Sequence, residues 1–90
     1  MARHAPRVQD NRITATHLTR QQLIESDCDI PWAEQVQGIL YEHPDWKLIH
    51  VSYLDAGTIK TIANDSFEDL RKTVADLNER HRRENPAEYK

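Results

Sequence analysis

The chain has one cysteine and two glycines in 90 residues, and each shortage removes a class of protein. A single Cys28 leaves no intramolecular disulfide and no thiolate metal centre, which fits a reducing cytoplasm. With only Gly38 and Gly57 there is no glycine-rich loop to cradle a phosphate. No apolar run approaches the ~18 residues of a transmembrane helix, and no signal peptide is expected after Met1. The histidines at 4, 17, 43, 50 and 81 never fall three or four apart, so no helical metal-ligand pair is present. Cys28 sits between Asp27 and Asp29, whose carboxylates disfavour a thiolate and so argue against a nucleophile. His50 and Ser52 share a strand face, but no acid is placed to orient them. No catalytic residue, metal or cofactor is expected.

Basic residues are missing from one stretch altogether. Residues 21–46 hold Glu25, Asp27, Asp29, Glu34, Glu42 and Asp45 with no Lys or Arg, a net charge of −6. Residues 1–20 carry +3 and residues 47–90 balance, giving −3 for the whole chain. Such asymmetry speaks to partners and solubility, not to fold. The length makes one domain, and 38% hydrophobic residues against 30% charged leave it a small core. Monomer and homodimer are both compatible with that size.

What is present is clearest from Trp46 to His81. Lys47 to Leu54 is a β-rich run, Asp55-Ala56-Gly57 a turn, and Thr58 to Ile62 a second β-branched run. A three-residue loop with Gly57 in the left-handed region pairs Tyr53 with Ile59, Val51 with Thr61 and Ile49 with Ala63 on one apolar face. Asp65 and Ser66 are both candidate caps for a helix whose stripe is Phe67, Leu70, Val74, Leu77 and His81. That stripe is expected to cover Ile49, Val51, Tyr53 and Ile59. Acid–base pairs four apart, Glu68–Lys72, Asp76–Arg80 and Glu79–Arg83, mark its solvated side. Asn85-Pro86 ends it.

Upstream, residues 1–11 read as a flexible basic arm and Arg12 to Leu18 as a short strand. Thr19 with Gln22 matches a capping box for a turn or two of helix over Arg20 to Ser26. Pro31 then suits the first turn of a helix running to His43, with Trp32, Ala33, Val36, Ile39, Leu40 and His43 on an apolar stripe. Pro44-Asp45 stops it. The domain is thus expected over residues 12–85, with residues 86–90 a frayed tail. The fold expected is α+β, β-α-β-β-α, a three-stranded mixed sheet with two helices packed on one face.

The opposite side of that central helix presents Glu34, Gly38, Tyr41 and Glu42, with Asp45 just beyond. An exposed tyrosine among acids can anchor a basic protein surface, so these five are the candidate partner-binding residues. The alternative is a winged helix-turn-helix over Arg20–Ser26, Pro31–His43 and the hairpin. Its recognition helix would offer Glu34, Gln35, Gln37 and Glu42 and no base, which repels a phosphate backbone. Direct nucleic-acid binding is therefore not expected, nor is a membrane.

In element order the chain resembles the DinI-like (DNA-damage-inducible) family of small bacterial proteins. The similarity runs through Arg12-Ile13, Pro44-Asp45, His50-Val51-Ser52, Thr61-Ile62 and Glu68-Asp69, over roughly residues 12–84. The resemblance implies a non-enzymatic regulator or inhibitor of a recombinase filament, part of a nucleic-acid-processing machine, acting through an acidic surface on the last helix. This chain departs from that pattern, because its last helix carries Arg71, Lys72, Arg80, Arg82 and Arg83 and its acidity lies in residues 21–46.

Overall fold

The computed structural model describes residues 12–89, so the expected N-terminal arm lies outside the described residues. The elements are β1 (Thr14–Leu18), α1 (Arg20–Glu25), β2 (Val36–His43), β3 (Trp46–Asp55), β4 (Thr58–Asn64) and α2 (Phe67–Glu84), then a 3-10 turn (Pro86–Tyr89). The strands form one sheet in the order β1-β2-β3-β4, every pairing antiparallel. It is an α+β fold with four strands, where three strands in a mixed sheet were expected.

The extra strand is the expected central helix. Residues 31–35 are loop, and Val36–His43 pairs with β1 on one side and β3 on the other. Apolar residues at 32, 33, 36, 39 and 40 match a helical stripe, but they equally furnish a strand that is apolar on both faces. Three local features favour the strand: Val36 and Ile39 are β-branched, Gly38 weakens a helix interior, and Pro44-Asp45 makes a two-residue turn onto Trp46.

The β3–β4 hairpin closes on two residues, not three. Ala56 and Gly57 both take positive φ, 52° and 84°, and Asp55 pairs with Thr58. Two left-handed residues match the right-handed twist of the flanking strands. The one-residue slip turns β4 over. Lys60 lies opposite Tyr53 and Ile62 opposite Val51, while Ile59, expected in the core, is 65% exposed. Lys60 keeps its ammonium in water by reaching back 2.8 Å to Asp55, whose hydrogen bond and charge raise the Lys60 pKa.

The N-terminal features form as their sequences dictate. Gln22 N–H donates to Thr19 Oγ1 (3.2 Å) and Thr19 N–H to Gln22 Oε1 (2.8 Å), the reciprocal capping box. At the other end of α1, Asp27 takes φ 60°, and the amides of Asp27 and Cys28 return to the carbonyls of Ile24 and Leu23. This 6→1 and 5→2 pair caps the short helix and delivers Cys28 beside Leu23 into the core. Of the two candidate caps for α2, Ser66 takes the role, accepting from Asp69 N–H. On that helix Glu79 pairs with Arg82, three apart.

Leu23, Cys28, Ile30, Ala33, Val36, Ile49, Val51, Tyr53, Leu70 and Val74 make the buried core. Phe67 and Leu77 flank it, so the α2 stripe faces Ile49, Val51 and Tyr53. Both helices therefore cover one face of the sheet. No described helix is long and apolar enough to cross a membrane.

Candidate functional site: the open face of the sheet

Side chains alternate along a strand, so the registers assign every strand residue to a face. The covered face takes Leu18 from β1, Val36, Gly38 and Leu40 from β2, Ile49, Val51 and Tyr53 from β3, and Ile62 from β4. The other face is crossed by five rows. From one end these are Leu54–Ile59, Gln37–Ser52–Thr61, His17–Ile39–His50–Ala63, Ala15–Tyr41–Leu48 and His43–Trp46. Among the described residues no element covers it.

The distribution of charge is inverted. The charged residues of the four strands are Glu42, Lys47, Asp55 and Lys60, and all four have the parity of the covered face. Not one Asp, Glu, Lys or Arg lies in the five open rows. A sheet packed on one side ordinarily turns its polar and charged residues to water and its apolar ones inward. Here β2 and β3 carry large apolar residues on both sides, with neutral polar residues but no charge between those of the open side. Strands of that kind are typical of sheets covered on both faces.

The open face is also aromatic. Tyr41 meets His50 edge-on, with ring centroids 5.4 Å apart and planes at 78°. His43 stacks on Trp46 at 5.2 Å and 7°, and His43 Nδ1 accepts from Asp45 N–H at 3.0 Å. Ile39, Tyr41, Leu48 and His50 are half-buried by their neighbours, whereas Trp46 is 44% exposed. The Ser52 and Thr61 hydroxyls lie 3.3 Å apart. Ser52 is thus engaged by Thr61, and His50 by Tyr41, with no nucleophile–base contact between them.

The expected partner-binding residues do not share a surface. Glu34 lies in the exposed loop before β2, where its carbonyl accepts from Arg20 (3.3 Å). Gly38 is buried on the covered face beneath β1; a Cβ there would lie 3.2 Å from Leu18 Cβ and 3.3 Å from the His50 carbonyl. Glu42 points to the covered side, between Thr14 and Lys47. Asp45 is exposed in the β2–β3 turn. Only Tyr41 belongs to the open face. With residues 31–43 in loop and strand, neither an acidic helix surface nor a recognition helix of a winged helix-turn-helix is formed there.

The acidic segment instead meets its own base. Arg20 donates to Asp29 (Nε to Oδ1, 3.0 Å) and to the carbonyls of Ile30, Pro31 and Glu34, at 3.0, 3.4 and 3.3 Å. Arg71 Nε reaches the Ser26 carbonyl at 3.0 Å. These contacts tie the 26–35 loop over the core. The same loop seats Trp32, whose indole donates to Asn78 Oδ1 (2.8 Å) and stacks on His81 with centroids 4.0 Å apart. Burial raises the pKa of the Cys28 thiol, Asp27 adds to the rise, and Arg71 opposes it.

A groove of about 530 Å³ runs beside Trp32, lined by Pro31, Ala75, Asn78, Glu79, Arg82 and Glu88. Three of its polar side chains are already engaged within the chain: Asn78 bonds Trp32 and the Asp29 carbonyl, and Glu79 pairs with Arg82. Nothing in it converges on a ligand. Among the described residues no three of His, Cys, Asp or Glu come together as a metal site. Comparison with protein-family models, with curated proteins and with solved structures finds no match for the chain.

Proposed function

We propose that this chain is a non-enzymatic interaction module that docks a macromolecular partner on the open face of its sheet. The observation that carries the proposal is the inverted charge pattern, with every charged strand residue on the helix side and none on the uncovered side. Leaving Ile39, Tyr41, Leu48 and Trp46 on a face without charge invites burial, because contiguous exposed apolar patches of this kind mark interaction sites. Aromatic residues at the centre and absence of charge are the composition of an interface core. Regulation of a larger assembly fits such a module. If the assembly is a recombinase filament, as the DinI-like resemblance implies, its contact falls on this neutral face, and a basic surface finds no acidic helix to meet.

The test is quantitative co-purification from the native host, with an untagged copy of the chain counted among the partners. Ile39→Glu places a charge at the centre of the open face and should reduce recovery of the specific partner more than tenfold, about 1.4 kcal/mol. Glu34→Lys with Glu42→Lys, away from that face, should leave recovery within twofold. Recovery that survives Ile39→Glu but disappears with the glutamate changes would refute the open-face reading.

A further inference from the structure

We infer that the occupant of the open face is a second copy of this chain, the two sheets packing face to face about a two-fold axis. The inference rests on the open-face reading and names its partner. In a two-fold interface the same patch serves both sides, so a residue near the axis meets its own copy. A formal charge there would face an identical charge. The five open rows hold none, although 30% of the chain is charged.

The polar groups that do occupy the face are self-complementary. The imidazoles of His17 and His50, the hydroxyls of Tyr41, Ser52 and Thr61, and the Gln37 amide are side-chain types that can both donate and accept. A lysine only donates and an ionised carboxylate only accepts, so neither bonds its own copy. Side chains restricted to the two-way kind suit a surface that must satisfy itself.

Other occupants fit less well. A nucleic-acid platform needs cations along the backbone track as well as aromatic rings, and the face has no Lys or Arg. A strongly charged protein would find no counter-charge. Four strands about 4.8 Å apart and about eight residues long give a footprint of roughly 500 Å² per copy. Two copies bury about 1,000 Å², the lower limit for a specific interface, so the dimer is reversible and not obligate.

The experiment is sedimentation velocity on the full chain from about 1 to about 200 µM, spanning a micromolar dissociation constant. The wild type should pass from one to two chain masses across this range. Ile39→Glu should weaken association more than tenfold while keeping the wild-type circular dichroism spectrum. Ala63→Arg, an exposed residue of the same row, does the same without touching a half-buried site and serves if Ile39→Glu unfolds. A wild type that stays monomeric overturns the inference, yet leaves the open-face reading standing if co-purification still depends on Ile39. A dimer that persists in both variants overturns the two-copy inference at this face as well.

Discussion

The two faces of the sheet are cut from alternate residues of the same strands, and they differ in what finishes them. On the covered face the apolar centre of Val36, Ile49, Val51 and Tyr53 is closed by Leu70 and Val74 of α2, by Leu23 of α1, and by Ile30 and Ala33 of the loop. Its charges, Glu42, Lys47, Asp55 and Lys60, lie towards the strand ends, where Lys60 pairs with Asp55 in water. The open face has an apolar and aromatic surface too, Ile39, Tyr41 and Leu48 at its centre and Trp46 at one end, but no charges and no cover among the described residues. Among the described residues burial is thus completed on one side only. Both faces carry apolar side chains at their centres; what separates them among the described residues is that the helices and the 26–35 loop close only one.

The largest effect should come from loosening that closure. Leu70 is a fully buried residue of α2, so Leu70→Ala should lower the unfolding free energy by about 2–5 kcal/mol. Leu48→Ala deletes the same atoms from the half-buried open face and should cost roughly 1 kcal/mol or less in dilute monomer. Urea titrations of the two variants side by side measure the difference. Equal losses would mean that the two faces are buried alike and that the contrast fails.

The loop that helps to close the covered face has its own weak point. Arg20 spreads four hydrogen bonds over Asp29, Ile30, Pro31 and Glu34 through the fork of its guanidinium. Lysine keeps the charge but not the planar fork, so Arg20→Lys should cost about 1–2 kcal/mol. The Ala33 and Leu54 amides, bonded to Ile30 and Gln35, should then exchange their hydrogens faster, while β3 amides facing β2 keep their protection. Unchanged exchange at Ala33 would show that the loop is held without Arg20.

The two helices are legible in the sequence because their signals are local, whereas a 3-10 turn stands at Pro86–Tyr89 where a frayed tail is expected. Thr19 and Gln22 specify a cap within four residues, Ser66 and Asp69 do the same, and Phe67, Leu70, Val74 and Leu77 repeat at helical spacing. The middle is ambiguous in the sequence for a physical reason. A strand with apolar residues on both faces loses the alternation that distinguishes it from a helix, and β2, with Val36 and Leu40 on the covered side and Ile39 and Tyr41 on the open one, is such a strand. The ambiguity and the candidate site thus have one origin. Residues 26–35 carry no periodic signal, since Arg20, Arg71 and Asn78 hold them from outside the segment. In the β3–β4 hairpin, Gly57 was recognisable as left-handed but Ala56 was not, and that one residue decided which face Ile59 and Ile62 occupy.

The smallest expected effect separates the faces by pH. Cys28 belongs to the covered core, where burial holds its thiol protonated to higher pH than in an unfolded chain, with Asp27 adding to the rise and Arg71 opposing it. A pKa raised by folding means that the native state binds more protons than the unfolded one above the usual thiol pKa of about 8.5. The unfolding free energy should therefore be unaffected by this group below about pH 8 and fall as pH rises beyond it, by at most about 1.4 kcal/mol per pH unit for one proton. Other groups titrate in that range, so the informative quantity is the difference from Cys28→Ala, which lacks the thiol. Urea midpoints at pH 7, 8, 9 and 10 should converge for the two proteins as pH rises, the wild type losing stability faster. Parallel lines would show that the Cys28 thiol titrates alike in both states, and that this side of the sheet is not sealed from water as its packing implies.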